Sequence, residues 1–282
     1  MKELYSHKVV TSFYLWFDHI LLNNAQAFSN ITGRLWPTED YRASNTGQSY
    51  ASPYKQWVYD SSVVGATIPS GIYINDNFVS RGEGALLDFD NGRVFVNSDP
   101  AISVISGEYS AKQFNTYVVS TEDTRLVYEG TFQPGSPYNT ILESGVYPYG
   151  FTAPACFILN TSTDNKPWAF GGEQNTENKM RVIIVSDDIY MLDGCISVFR
   201  DASNSIIPLF SIGDSPFNED GDLKSGSFNY SERAANQNRY IFIDKVSSLK
   251  SNSSQQSKDN PILRYAVLDF YLSEPRVPKL DL

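Results

Sequence analysis

The clearest alternation of hydrophobic and polar positions lies in residues 85–96, ALLDFDNGRVFV. Asn91 and Gly92 accept the positive φ angles of a type I′ turn, so the pattern predicts a β-hairpin that turns at these two residues. The predicted register places Asp90 opposite Arg93 as a cross-strand ion pair. It also places four apolar side chains on one face, namely Leu87, Phe89, Val94 and Val96.

Apolar residues at helical spacing near the start of the chain predict a long N-terminal helix over residues 3–28. Apolar side chains cover more than half of its circumference. A helix of this kind needs two partners, so we expect it to pack on the body of its own subunit and on a neighbouring subunit. Residues 29–53 are interrupted by glycines and prolines and predict an irregular arm.

Short strands are predicted next, at residues 56–64, 70–75, 101–120 and 126–132, in addition to the hairpin. Regular short strands separated by turn residues are typical of a small antiparallel β-sandwich or barrel. The following residues 133–154 are rich in Gly, Pro and Tyr and are long for a loop. We therefore expect the boundary between two regions in this segment.

The second region predicts a sheet with one packed helix. Residues 155–160 form a predicted strand, and residues 181–186 are an unbroken apolar run of the kind that is buried on both faces. Helical spacing follows over residues 188–201, where Ser186 or Asp187 can cap the helix. Two long strands are predicted at the end of the chain, over residues 239–250 and 261–273.

The predicted fold class is therefore a β-rich α+β protein with an N-terminal helix, a small antiparallel sandwich or barrel, and a sheet with one packed helix. Aromatic residues, at 14% of the chain, favour strands over helices. The predicted segments are residues 1–54 (helix and irregular arm), 55–132 (antiparallel β region), 133–154 (loop) and 155–282 (α+β region).

The charge balance disfavours two classes of partner. Lys and Arg number 22 against 32 Asp and Glu, which gives a formal net charge of −10. Such a field repels nucleic-acid phosphates and anionic lipids. We therefore expect neither sequence-specific nucleic-acid binding nor membrane association.

Catalytic and metal-binding patterns are weak in this sequence. The two histidines, His7 and His19, lie twelve residues apart and belong to no motif, so they cannot share a metal within one helix. Cys156 and Cys195 lie in apolar runs, which predicts two buried free thiols, with a disulfide or redox role as the alternatives. No catalytic residue, cofactor site or metal site is predicted.

One acidic loop resembles a calcium site in part. Residues 218–222, NEDGD, contain the acidic and glycine positions of such a loop. However, Pro216 occupies a position that needs a ligand, and Ser227 occupies the position of the closing glutamate. The pattern favours a solvated turn over an ion site.

Six segments carry a resemblance to a known family: SHKVVTSFYLWFDHILLNN, SPYKQWVYDSS, LDFDNGRVFV, GEYSAKQFNTYVVS, PWAFGG and RVIIVSDDIYMLDGCISVFRD. They resemble virion structural proteins of tailed bacteriophages, especially contractile-tailed marine and cyanobacterial phages. The second region is similar in outline to the tail-terminator and neck proteins that form rings between head and tail. The additional N-terminal β region departs from the smallest members of that class, which leaves a neck, tail or baseplate position open.

The resemblance implies a non-enzymatic subunit of a ring at the head-to-tail connection, six subunits being one candidate symmetry. Its partners would be copies of itself and other neck, tail-tube or tail-sheath proteins. Genome DNA would pass through the lumen, and the subunit would reside in the virion after assembly in the host cytoplasm. The aromatic residues expected at the subunit interface are Phe13, Trp16, Phe17, Tyr147, Tyr149 and Phe217.

Rival functions from other classes remain open on the sequence. A carbohydrate-binding β-sandwich module could stack sugars on exposed aromatic residues, of which the candidates are Tyr138, Tyr147, Tyr149 and Trp168. A hydrolase that uses two distant carboxylates rests only on the abundance of Asp and Glu. A baseplate or tail-fibre component is a further alternative within the phage class.

Overall fold

The computed structural model describes residues 3–43, 47–97, 104–120, 132–133, 141–142, 145–146, 151–169, 172–250 and 263–277. The fold is β-rich, with 47% of residues in strands. It contains an N-terminal helix, a nearly closed antiparallel barrel, and a second sheet with a packed helix. The predicted fold class is therefore confirmed.

The helices of the described residues are α1 (Tyr5–Asn23), α2 (Ile189–Arg200) and α3 (Tyr230–Ala235), with 3-10 turns at Tyr41–Ala43 and Ile212–Asp214. The barrel strands are β1 (Phe28–Thr38), β2 (Gly47–Ala51), β3 (Gly71–Ile74), β4 (Asn77–Ser80), β5 (Ala85–Asp88), β6 (Arg93–Asn97) and β7 (Ile105–Lys112). The remaining strands are β8 (Asn115–Val118), β9 (Phe132–Gln133), β10 (Ile141–Leu142), β11 (Gly145–Val146), β12 (Phe151–Thr152), β13 (Ala155–Pro167), β14 (Gln174–Ser186), β15 (Ile206–Pro208), β16 (Tyr240–Lys250) and β17 (Arg264–Arg276).

The barrel strands follow the order β4-β3-β7-β1-β2-β6-β5, and neighbours are antiparallel. Strand β1 pairs with β7 as far as Leu35 and with β2 from Trp36 onwards, so it joins the two halves of the sheet. A bridge between Arg81 and Ala85 brings the outer strands β4 and β5 together. This contact nearly closes the barrel.

Strands β1 and β2 correct the prediction of an irregular arm over residues 29–53. Strand β1 contains Gly33 and Pro37 and has little alternation of apolar and polar residues, so the sequence pattern does not predict a strand there. It forms because backbone pairing holds it to β7 along one edge and to β2 at its end. The barrel therefore begins at Phe28 rather than at residue 55.

The predicted hairpin of β5 and β6 is present with a different register. Asp88 pairs with Arg93 and Leu87 pairs with Val94, so the turn contains four residues instead of two. The Asp88 carboxylate accepts hydrogen bonds from the backbone N–H groups of Asp90 and Asn91 and thereby holds the longer turn. The ion pair predicted between Asp90 and Arg93 is therefore wrong.

The faces of this hairpin are as predicted, because the register differs by two residues and side chains alternate with a period of two. All four side chains of the predicted apolar face are buried, namely Leu87, Phe89, Val94 and Val96. The positive φ angles of a type I′ turn occur instead at Asn75 and Asp76, between β3 and β4.

The second sheet has the order β15-β16-β17-β14-β13-β8, and its pairs are antiparallel except for the parallel pair of β8 with β13. The predicted strand over residues 101–120 is two strands, because the chain leaves the barrel between β7 and β8 and enters the second sheet. Residues 56–64 form only isolated bridges, at Trp57 and Asp60, rather than the predicted strand. The strand predicted over residues 126–132 lies, apart from Phe132, outside the described residues.

The predicted helix and strands of the second region are present, and β13 and β14 extend beyond the predicted bounds. The N-cap of α2 is Asp188, whose carboxylate accepts the Tyr190 N–H, rather than Ser186 or Asp187. Ser186 does not cap the helix itself, but its hydroxyl donates a hydrogen bond to the backbone carbonyl of the N-cap residue Asp188.

Helix α1 lies between the barrel and the second sheet. On one side, Phe13 and Phe17 pack against Phe270 of β17. On the other side, Asp18 pairs with Lys112 of β7. Most apolar side chains of α1 are thus buried within the chain, and one hydrophobic core runs through both sheets.

Candidate functional site

Three of the residues predicted to contact a neighbouring subunit lie in the core of their own chain. Phe13, Trp16 and Phe17 are at most 4% exposed. The Phe17 ring stacks on Phe199 of α2 with ring centroids 4.0 Å apart. Helix α2 and strand β17 therefore cover the aromatic face of α1 within the chain, and a role for these three residues in a subunit contact stays a prediction.

The other predicted interface residues have different outcomes. Phe217 is half-buried and meets the edge of the Tyr59 ring at a centroid distance of 4.8 Å. A role for Phe217 in a subunit contact stays a prediction. Tyr147 and Tyr149 lie outside the described residues, as does Tyr138.

The acidic loop over residues 218–222 is held by protein groups. Asn218 Oδ1 accepts hydrogen bonds from the N–H groups of Asp220 and Asp222. The Asp222 carboxylate pairs with Arg81 at 3.2 Å. Among the described residues, no group of three or more His, Cys, Asp or Glu side chains is arranged to hold a metal ion.

A network of ion pairs lies beneath this loop. The Arg42 guanidinium bonds the carboxylates of Asp40 and Asp88, and Arg93 also pairs with Asp40. Burial raises the pKa of Asp40, but the hydrogen bonds from Arg42 and Arg93 outweigh that effect and lower it to about 2. Arg42 also donates to the backbone carbonyl of Asp220, so the network ties the acidic loop to the barrel.

The two thiols are buried, and the His19 imidazole is paired with a carboxylate. Cys156 and Cys195 are both buried and free, which confirms that prediction. Burial and the neighbouring Cys195 raise the pKa of the Cys156 thiol, which keeps it protonated and a poor nucleophile. His19 Nδ1 lies 2.7 Å from Asp60 Oδ2, and the His19 ring stacks on Tyr230.

A cavity of about 320 Å³ lies between the barrel and the second sheet. Burial and the charge of Arg93 lower the pKa of Lys55, which lines it, to about 8. Lys112 also lines the cavity but is paired with Asp18, and Asp188 caps α2. Two of the charged groups in this cavity are therefore engaged in holding the fold.

A largely apolar surface groove, here called the α1–α2 groove, has a volume of about 630 Å³. Its apolar lining comes from both helices, from the turn after α2 and from β15, namely Trp16, Ile20, Val198, Ala202 and Ile206. Ile206 is 47% exposed at its edge. Beside it, β16 pairs with β15 only at its start, so among the described strands the edge from Asp244 to Lys250 has a partner on one side alone.

A second groove, here called the Trp168 groove, has a volume of about 480 Å³. It adjoins the α1–α2 groove at residues 204–205, which line both grooves. Two aromatic side chains flank it, and Trp168 is 62% and Phe242 48% exposed. Trp168 was a sequence candidate, whereas Phe242 was missed. The alternation of Ile241, Phe242 and Ile243 was the available signal, since it places Phe242 on the face opposite two core residues.

The fold defines a β-rich α+β protein in which a barrel and a helix-covered sheet share one core. No protein-family model matches this chain, and no curated protein matches it significantly. Of the helices in the described part of the chain, none is long and apolar enough to cross a membrane.

Proposed function

We propose that this protein is a non-enzymatic structural subunit of a tailed-phage virion, which forms a ring at the head-to-tail connection as a neck or tail-terminator protein. The resemblance of its sequence segments supplies the virion context. Its partners would be copies of itself, with six as one candidate number, and neck, tail-tube or tail-sheath proteins. The observation that carries the proposal is the α1–α2 groove.

The groove has the properties of a subunit contact. Its rim carries Ile206, and its floor reaches the ring of Trp16 between the two helices. Exposed apolar patches on soluble proteins mark interaction sites, because burying them on a partner is favourable. Among the described strands, the adjoining edge of β16 from Asp244 to Lys250 pairs on one side alone, and it extends the same surface.

The hairpin of β3 and β4 provides the complementary surface. Phe78 on β4 is 53% exposed at the edge of the barrel. The two-residue turn at Asn75 and Asp76 is short and holds the hairpin in one conformation. We assign Phe78 of one copy to the α1–α2 groove of the next, because a contact between two different surfaces is the kind that closes a ring.

Two single variants test this contact. Phe78→Ser removes the inserted ring, and Ile206→Glu places a charge at the groove rim. Each variant should be monomeric by light scattering, whereas the wild type and the control Val64→Ser should form rings visible by negative-stain imaging. Val64 is a suitable control because it is 80% exposed and belongs to neither surface.

Mixing the two variants gives a sharper test. The Phe78→Ser copy keeps an intact groove, and the Ile206→Glu copy keeps an intact hairpin, so the mixture should form heterodimers and no rings. Rings of the wild type should also bind the ends of purified contractile-phage tail tubes. A wild type that stays monomeric at high concentration and ignores tail tubes contradicts the proposal.

A further inference from the structure

The Trp168 groove lies on the outer face of the second sheet, away from the face that packs on α1 and α2. Phe242 lies opposite Ser273, Ser273 lies opposite Glu177, and Asn175 is two residues from Glu177. These side chains therefore share one face of the sheet. The groove volume of about 480 Å³ falls in the range of small-molecule sites, roughly 300–1,000 Å³.

Both aromatic rings that flank the groove are exposed to solvent. Large aromatic side chains are mostly buried, so Trp168 at 62% and Phe242 at 48% exposure leave apolar ring surface in water. The face of an aromatic ring carries partial negative charge and attracts the slightly positive C–H groups of a ligand. One face of a sugar ring presents a row of such C–H groups.

The polar lining matches the other chemistry of a sugar. Two amides and two hydroxyls, from Asn175, Asn204, Ser205 and Ser273, line the groove together with Asp244. Amide side chains both donate and accept hydrogen bonds, as neighbouring sugar hydroxyls do. Ser273 Oγ donates to Asp244 Oδ1 at 2.9 Å, which orients this carboxylate as an acceptor.

The charge of the lining disfavours phosphorylated ligands that stack on aromatic rings. Among the described residues that line the groove, Asp244 is charged, and none is a Lys or an Arg. A nucleic acid or a phosphorylated ligand needs cations to neutralise its phosphates. A neutral ligand with an apolar face and several hydroxyls satisfies both the rings and the polar groups.

We propose that the Trp168 groove binds a neutral oligosaccharide, stacked on Trp168 and Phe242 and hydrogen-bonded by the polar side chains between them. Asn204 and Ser205 line both grooves, whereas the two stacking rings, Trp168 and Phe242, lie outside the α1–α2 groove and outside the β3–β4 hairpin. Substitutions of Trp168 or Phe242 therefore test glycan binding without changing the surfaces proposed for ring assembly, and the failure of one proposal leaves the other standing.

The test is binding of the full chain to a printed array of neutral glycans that end in glucose, galactose, mannose or N-acetylglucosamine. The wild type should bind a subset of them. Trp168→Ala and Phe242→Ala should each weaken binding by at least about tenfold, as expected for the loss of one stacking ring. Tyr190→Ala is the matched control, since Tyr190 is 84% exposed on α2, outside this groove.

The mass of each variant by light scattering and its thermal melting curve must equal those of the wild type, so that lost binding reports the groove alone. Phe242→Leu should then retain part of the affinity that Phe242→Ala loses. A wild type that binds none of the glycans overturns the proposal. Binding that survives Trp168→Ala, or that Tyr190→Ala weakens equally, also overturns it.

Discussion

Lys112 Nζ donates to both carboxylate oxygens of Asp18, at 2.8 and 2.9 Å. The two side chains are each 2% exposed. The ammonium group also lies 4.8 Å from the centroid of the Tyr59 ring. This ion pair fastens α1 to barrel strand β7, so the helix is held to the barrel by charge and to the second sheet by aromatic packing.

We predict that breaking this pair from one side costs more than replacing both partners. Asp18→Asn or Lys112→Met alone leaves one buried charge without its counter-ion, which costs about 3–5 kcal/mol of unfolding free energy. The double variant Asp18→Asn, Lys112→Met should lose less than the sum of the two single variants. Urea denaturation of the four proteins measures the difference, and strictly additive losses would contradict the coupling.

Acid should destabilise the protein through Asp40. Its pKa is about 2 in the folded state against an ordinary 3.8, so folding favours the charged form. The stabilisation is present above about pH 4 and is lost as the pH falls towards 2. Asp40→Asn should flatten this part of the profile of unfolding free energy against pH. Asp164→Asn, which changes an exposed carboxylate, should leave the slope of the wild type intact.

Asp90 should make the unfolding free energy rise as the pH falls from neutral, which is opposite to the effect of Asp40. Burial, together with the charges of Asp88 and Asp18, raises its pKa to about 6 against the lowering effects of Lys112 and the Gln56 hydrogen bond. Folding therefore favours protonated Asp90, and the wild type should gain stability as the pH falls from about 7 to 4. Asp90→Asn keeps an acceptor for Gln56 Nε2, which bonds Asp90 Oδ1 at 3.0 Å. This variant should be more stable than the wild type at pH 8 by about 1–2 kcal/mol, as measured by urea unfolding.

Gly221 and Gly82 form a matched pair of glycines with the same φ of +85°. A Cβ at Gly221 would lie 2.1 Å from Asp88 Oδ1, whereas a Cβ at Gly82 meets no atom within 4 Å. Both alanine variants pay the backbone strain of about 1 kcal/mol. Gly221→Ala should lower the melting temperature clearly further, because it also displaces the carboxylate that Arg42 holds. Equal shifts for the two variants would show that the close approach to Asp88 is unimportant.

The hairpin of β5 and β6 separates what local pattern can predict from what it cannot. Alternation predicts that Leu87 and Val94 share the buried face, and both are buried, because a register shift of two residues preserves the faces. The turn length depends on Asp88, whose carboxylate bonds the N–H groups of the turn and the guanidinium of Arg42. Arg42 is distant in sequence, so the register could not be read from the hairpin alone.

The two aromatic residues of the Trp168 groove show the same difference between what the local pattern predicts and what the tertiary structure adds. The pattern singled out Trp168 as an exposed aromatic residue, and its exposure bears this out. Phe242, its counterpart across the groove, comes from a strand more than seventy residues away in the chain. No local pattern connects the two, since pairing of β14, β16 and β17 brings them together.

The sequence by itself determined that α1 is a helix with apolar side chains around more than half of its circumference, because helical periodicity is a local property. Only the tertiary structure decided what covers those side chains. The hydrophobic effect demands burial without specifying a partner, so the pattern was equally compatible with a neighbouring subunit at Phe13, Trp16 and Phe17. In the folded chain the second sheet and α2 bury these residues, while the barrel holds the opposite side of the helix through Asp18 and Lys112.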